Sequence, residues 1–327
     1  MRARRGRWLV PWVALLAAVT ACTAAEPPAT EDRPVAGCGP PTRDDVGGTA
    51  PAYLRGALDR FPNDESMCAA RWLPHTDSEF VPQGLVVRGR TAWVSGYDHG
   101  AVGHKYCRVL RIDLRDGERV TQRARVGGQV GHRDPVGCRH GGGLSRDEHG
   151  LWLTEKRRLW LLDPDTLATK RAWAIVLPVW GSTVLHDARG RLGLVGWSDH
   201  RRARLHWYDP QDLLADGVIE VRRGAAAGRR WVPPRTQGAF WGAPAGGEPR
   251  VWFVRSTTRC GELKAGQRRR GFIPGAEGTA LGEEHLWVLS ESTSAPYWRR
   301  GGRPLVPQLA RFEVADLADW RPPDCTV

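Results

Sequence analysis

The chain has 327 residues and is 41% apolar, enough to bury a core as one large domain or two ordinary ones, which excludes a disordered protein. Its formal net charge is +12. The basic clusters at Arg222 and Arg223, Arg229 and Arg230, residues 267–270 and residues 298–300 are spread along the chain, and no RNP-like, zinc-finger or basic-helix pattern accompanies them, so nucleic acid is excluded as the expected partner.

The N-terminus sets the compartment. Arg2, Arg4, Arg5 and Arg7 precede the apolar run at 8–19, which then reaches small residues, the pattern of a secretory signal peptide over residues 1–21. The run contains Pro11 and falls well short of the roughly 20 residues that span a bilayer. It ends in "VTAC" (19–22), which resembles the lipobox of bacterial lipoproteins. That resemblance implies cleavage before Cys22, a diacylglyceryl thioether on its sulfur, and anchoring at the outer face of the cytoplasmic membrane. An ordinary signal peptide, the alternative, leaves a secreted protein with Cys22 a free thiol. Loss of the four leader arginines lowers the charge from +12 to +8, which still suits anionic headgroups or cell-envelope polymers as partners.

Residues 22–50 are rich in Pro, Ala, Gly and charge and read as a lipidated, flexible tether. A short helix is expected at 52–60 within a lead-in at 51–67. With Cys22 lipidated, Cys38, Cys68, Cys107, Cys138, Cys260 and Cys325 remain, an even set without CxxC spacing, so three structural disulfides are expected. Cys38 is paired with Cys325, because both lie in terminal tails, and Cys107 with Cys138.

Beyond the lead-in the chain repeats. "QGLVVRGRTAWVSGY" (83–97), "GGLSRDEHGLWLTEK" (142–156) and "EGTALGEEHLWVLSE" (277–291) each place a Gly nine residues before a Trp, and looser copies run over 179–197 and 236–254. Each copy is a small-residue turn, a short apolar strand, a polar turn and a period-two strand. Third strands follow in "RVLRID", "RLWLLD" and "ARLHWYD", and fourth strands in "VTQRARV", "KRAWAIV" and "VIEVRR". Short strands without intervening helices predict an all-β fold of consecutive antiparallel meanders. Five such units predict a single five-bladed β-propeller over 68–320, with six blades the alternative and 321–327 a C-terminal tail. The last unit lacks a fourth strand, while "AARWLP" (69–74) is spare, so an N-terminal strand is expected to complete the last blade and close the ring. Trp93, Trp152, Trp252 and Trp287 share one repeat position and are expected to pack between blades.

"HGGG" (140–143) is the oxyanion-hole string of lipases and esterases, but their nucleophile elbow G-x-S-x-G is missing from the sequence, and the string falls where a unit begins. Its glycines therefore fit the tight start of an inner strand. The residues that open the units are Gln83, His140, Gln237 and Glu277, with Gly181 and Ser182 in the third. In a propeller these positions can face a shared axial funnel. His140 could instead cap backbone groups, Glu277 could pair with an arginine, and the glutamines could stitch inner strands together.

These openings, x-Q-G, H-x-G-G, x-Q-G and x-E-G, with the close "LWVLSES" (286–292), resemble a group of bacterial secreted propellers over about residues 78–314. The resemblance implies the fold and the position of a site, with no activity attached. The wider calcium-dependent lactonase and SMP-30-like propellers hold a metal in the channel through acidic and amide groups. Glu277 is the one acid among the openings here, a poor set for calcium, so no cofactor is expected. Asp98, His99, His104 and Lys105 form a second polar cluster, and its aspartate and histidines are a weaker metal candidate.

The expectation is a monomeric, non-enzymatic surface protein binding a ligand or protein through the funnel. The alternative is a hydrolase or lyase of lactonase or esterase type, with Glu277 and His140 as acid, base or ligand and Gln83 and Gln237 orienting substrate.

Overall fold

Short stretches of alternating apolar and polar residues, broken by Gly-bearing turns, pair most readily with their immediate neighbours as hairpins. The computed structural model, which describes residues 37–74, 80–99, 105–115, 119–244, 246–301, 303–315 and 317–327, shows this outcome five times. Blade 1 consists of Phe80–Arg88, Thr91–His99, Lys105–Asp113 and Val120–Arg125. Blade 2 consists of Gly143–Arg146, Leu151–Glu155, Arg158–Leu162 and Thr169–Ile175. Blade 3 consists of Thr183–His186, Leu192–Val195, Ala203–Tyr208 and Gly228–Val232. Blade 4 is a meander of Thr236–Gly242, Arg250–Thr257, Cys260–Ala265 and Arg268–Phe272. Blade 5 takes Ala276–Leu281, His285–Ser290 and Leu309–Glu313, and its outer strand is Met67–Arg71 from the other end of the chain. Met67 pairs with Phe312 and Arg71 with Leu309, so the ring closes as the spare N-terminal strand predicts, two residues earlier than expected.

The core lies between blades. Trp93 packs with Leu144 and Leu151 of blade 2, Trp152 with Val184 and Leu192 of blade 3, and Trp252 with Leu286 and Val288 of blade 5. Trp287 packs against Leu85 and Val94 of blade 1, and Leu205 with Trp207 of blade 3 meets Val251 and Phe253 of blade 4. Five apolar seams thus hold five sheets, each seam built from one repeat and the next.

At the axis the blades meet backbone to backbone. A Cβ on Gly84 would lie 2.6 Å from Leu144 N, and one on Gly143 2.5 Å from Thr183 Cα. A Cβ on Gly238 would lie 2.1 Å from Glu277 O, and one on Gly278 2.5 Å from Gln83 O. The repeated glycines are the contact points of neighbouring inner strands, where any side chain would hold the strands apart.

Four expectations need correction. The fourth strand of blade 3 is Gly228–Val232; the Val218–Arg223 string instead supplies Glu220–Val221, which runs parallel to the outer strand of blade 2. The cause is upstream: Asp209 caps the short helix Pro210–Leu214, and Arg171 of blade 2 donates to the carbonyls of Leu214, Ala215 and Val218, so the chain is drawn back over blade 2. The helix at 52–60 does not form, because Arg43 takes the carbonyls of Leu54 and Gly56 while Leu54 is fully buried.

The described part of the tether, 37–50, is not loose: Val46 is buried and Gly47 bridges Arg71. The disulfides are Cys38–Cys68, Cys107–Cys138 and Cys260–Cys325. Only the second matches expectation, because each tail is stapled to the blade beside it rather than to the other tail. The signal peptide and Cys22 lie outside the described residues.

A valine at position 278 has no space to occupy. Gly278→Val is expected to lower unfolding free energy by about 3 kcal/mol or more in urea melts. Gly39→Ala, with nothing within 4 Å of its added Cβ, is expected to change it by less than about 0.5 kcal/mol.

Candidate functional site

Three blades open with a bulge, and the bulge carries the polar residue. In blade 1 the pairing passes from Pro82 opposite Gly96 to Gly84 opposite Ser95, leaving Gln83 unpaired. Blade 4 skips Gln237 between Thr236 and Gly238, and blade 5 skips Glu277 and Gly278 between Ala276 and Thr279. A bulge re-aims the extra side chain out of the ladder. Each glycine can then lie against the next strand while the residue before it faces the axis.

Those side chains meet. A cavity of about 560 Å³ is lined by Gln83, His140, Gln237 and Glu277 together, so all four expected site residues share one space. In blade 2 the opening is a turn rather than a bulge. Cys138, bonded to Cys107, fixes its start; Gly141 is left-handed at φ 64°; and its carbonyl accepts from Ser95 Oγ at 2.9 Å. A Cβ on Gly142 would lie 2.5 Å from Ser182 O, so the HGGG glycines serve the close contact of blades 2 and 3.

The His140 ring stacks on Tyr97 with centroids 4.8 Å apart, and Lys105 Nζ lies 4.2 Å from the centre of the Tyr97 ring. His140 is open to solvent in the funnel yet has protein on most sides; this desolvation, and then the Lys105 ammonium, push its imidazole below the ordinary range.

Two groups that sequence reasoning missed complete the floor. Glu291 lies beside Glu277, and its Oε2 accepts from Gln83 Nε2 at 2.8 Å. Tyr297, at the start of the helix Ala295–Gly301, shares a 2.9 Å hydrogen bond with Tyr97 through their hydroxyls. A belt of buried hydroxyls positions both: Ser290 Oγ donates to Pro274 O, Ser292 Oγ to Thr258 O, and Thr293 Oγ1 to Val306 O. Glu277 thus has a carboxylate neighbour and not the arginine that was the other reading. Glu291 belonged to the "LWVLSES" close, whose acidic residue was the available signal.

Burial first, then repulsion from Glu291, holds Glu277 well above the ordinary carboxylate range. Burial likewise raises Glu291, opposed by its hydrogen bonds from Gln83 and Tyr297. The pair therefore retains a proton at neutral pH. Glu277 Oε1 is buried and has no hydrogen-bond partner.

The same cavity is lined by Lys105, Arg139 and Lys156, whose side chains form no ion pair among the described residues, and Lys105 lies close enough to Glu291 to interact with it electrostatically. Lys156 instead lies over the Trp180 ring at 4.2 Å, and Trp197 adds a flat, 44% exposed face to the wall. Arg158 is committed to Glu155 at 2.5 Å.

The second cluster is described only in part. Asp98 is buried in an ion pair with Arg108, His99 has its ring 6.4 Å from Tyr97, and His104 lies outside the described residues. Among the described residues the potential ligand atoms that converge are those of Cys38, Cys68 and Glu313, and both sulfurs are spent in the disulfide.

No protein-family model matches the chain, and no curated protein matches it. Among solved structures it is similar to BamB from Moraxella catarrhalis, at 12% identity and a TM-score of 0.30 over 79% of this chain and 63% of that one, less than two thirds of its length. It is also similar to the PQQ-bound aldose sugar dehydrogenase from Streptomyces coelicolor, at 13% identity and a TM-score of 0.35 over 82% of each chain. A third is a GH43 β-xylosidase/α-arabinofuranosidase from a compost microbial metagenome, at 11% identity and a TM-score of 0.39 over 72% of this chain and 90% of that one. No activity is carried from these proteins, and the class, a five-bladed β-propeller, rests on the blade order itself.

The acid pair has a pH signature. An acid whose pKa is raised in the fold costs nothing below its unfolded value near 4.5, and an increasing amount as pH climbs toward the folded value. Glu277→Gln is expected to match the parent protein at pH 4.5 and to exceed it in stability by on the order of 2 kcal/mol at pH 8. Thermal melts across that range check this; a gap that does not widen with pH would show that the pair holds no proton.

Proposed function

We propose that this protein is an exported, lipid-anchored propeller that binds an anionic ligand in its axial funnel and does not turn it over. The observation that carries this reading is the charge gathered in one cavity: Lys105, Arg139 and Lys156, whose side chains form no ion pair among the described residues, together with an acid pair on blade 5 that holds a proton. Lys105, Arg139 and Lys156 supply attraction for an acidic group, and Gln237 and the unpartnered oxygen of Glu277 supply hydrogen bonds to hydroxyls. Trp197 offers an apolar face for a sugar ring. Acidic saccharides of the cell envelope have this combination of charge, hydroxyls and flat carbon faces.

Three disulfides place the chain in an oxidising, extracytoplasmic compartment, and among the described residues no helix is long and apolar enough to cross a membrane. The lipobox-like Cys22 supplies the anchor in this reading. Mass spectrometry of the detergent-extracted protein is expected to find a diacylglyceryl group on Cys22; a mature N-terminus elsewhere removes the anchor.

A hydrolase or lyase is the second reading, favoured by the raised acid pair, since carboxyls that titrate near neutrality serve as general acids. One set of experiments separates the two. Calorimetry with oligogalacturonate and with neutral galacto-oligosaccharide is expected to show binding of the acidic oligomer alone. Added salt should weaken it, and Lys105→Ala with Arg139→Ala should reduce affinity by about tenfold. Equal affinity for both oligomers, or for neither, rejects the anionic ligand. Turnover of lactone, phosphoester or glycoside panels that disappears in Glu277→Gln replaces binding by catalysis.

A further inference from the structure

A second cavity, of about 250 Å³, lies away from the funnel and is lined by His206, Arg223, Ala226, Gly228 and Arg229. It arises where the chain leaves Glu220–Val221 on blade 2 and crosses to the outer strand of blade 3. His206, on the third strand of blade 3, pairs with Leu194 on one side and Arg229 on the other. Its neighbours Leu205 and Trp207 enter the seam with blade 4, so strand alternation turns His206 the other way. The ring is 2% exposed, and its Nδ1 is buried without a hydrogen-bond partner. A buried polar nitrogen left unsatisfied carries its full desolvation penalty.

Every charge acting on that ring is positive. Arg204, Arg229 and Arg223 face it electrostatically, from its own strand, the adjacent outer strand and the connecting turn, and after burial they depress its protonation. Arg223 and Arg229 are exposed and have no carboxylate partner among the described residues, and Arg204 lies over the Trp231 ring at 3.3 Å. The nearby acid, Glu220, is paired with Arg222 and does not compensate them.

We propose that this cavity is a phosphate site, in which Arg223 and Arg229 hold the anion and His206, once protonated, donates to a third oxygen. Two guanidinium forks and an imidazolium match the several oxygens and double charge of a phosphate better than the two oxygens of a carboxylate. The site is independent of the funnel and of any ligand there. In an exported protein the group could belong to free phosphate or to a phospholipid headgroup, which share this chemistry.

The test follows the His206 ring by NMR while inorganic phosphate is added to the purified protein, with vesicles of phosphatidylcholine alone or with phosphatidic acid as a second arm. Phosphate is expected to shift the His206 resonances and raise their titration midpoint by about one pH unit, since an anion and a proton that favour each other's binding do so reciprocally. Arg223→Ala with Arg229→Ala, both exposed, should weaken the effect at least about tenfold. His206→Gln should bind phosphate with less gain at low pH than the parent protein. Protonation of phosphate itself affects both proteins alike, so their difference isolates His206. Vesicle binding that needs phosphatidic acid and both arginines, without a response to free phosphate, assigns the site to headgroups. No response to either probe, or an unchanged response in the double arginine variant, overturns the proposal.

Discussion

The architecture depends on backbone contact at the axis. Five inner strands can close a ring only if each lies against the next, and at four of the junctions the touching residue is glycine, with backbone or strand-core atoms within 2.1 to 2.6 Å of where a Cβ would sit. The bulges follow from the same constraint. They let Gly84, Gly238 and Gly278 turn toward a neighbouring strand while Gln83, Gln237 and Glu277 leave the ladder toward the channel. Closure and site construction are therefore one geometric event, repeated in three blades. In blade 2 the longer turn through Gly141 and Gly142 delivers His140 to the same space.

This coupling explains what the amino-acid sequence discloses. A Gly nine residues ahead of a Trp records two fixed requirements, a contact at the axis and a ring filling the seam outside it, and both survive as local pattern. The blades and the closing strand were legible for that reason, as were the four polar residues tied to the glycines. The strand "VIEVRR" has the right period for an outer strand of blade 3. Nothing local reveals that Arg171, in the preceding blade, captures three carbonyls and diverts it. The tails were misread because their few apolar residues, such as Val46 and Leu54, gain burial only from a ring that composition does not show.

Glu291 and Tyr297 were hidden for a different reason. They follow the second strand of blade 5 instead of opening a strand, and reach the channel through a buried hydroxyl-rich turn whose Ser and Thr residues resemble an ordinary loop in sequence. A partner of this kind is also invisible in sequence at Asp98, which Arg108, on the adjacent strand, holds in an ion pair.

The acid pair is the costliest feature of the funnel. Two adjacent carboxyls in a buried site cannot both ionise without large repulsion, and an apolar pair there would be the more stable choice. The surrounding residues do not relieve this by supplying a cation in contact; they satisfy Glu291 through Gln83 and anchor its loop with hydroxyls bonded to carbonyls. What is left over is one carboxyl oxygen, Glu277 Oε1, in a cavity also lined by Lys105, Arg139 and Lys156. The pair ends with an unmet oxygen at the edge of an open space, so the cost of holding these two carboxyls together is left partly unrelieved by the protein itself.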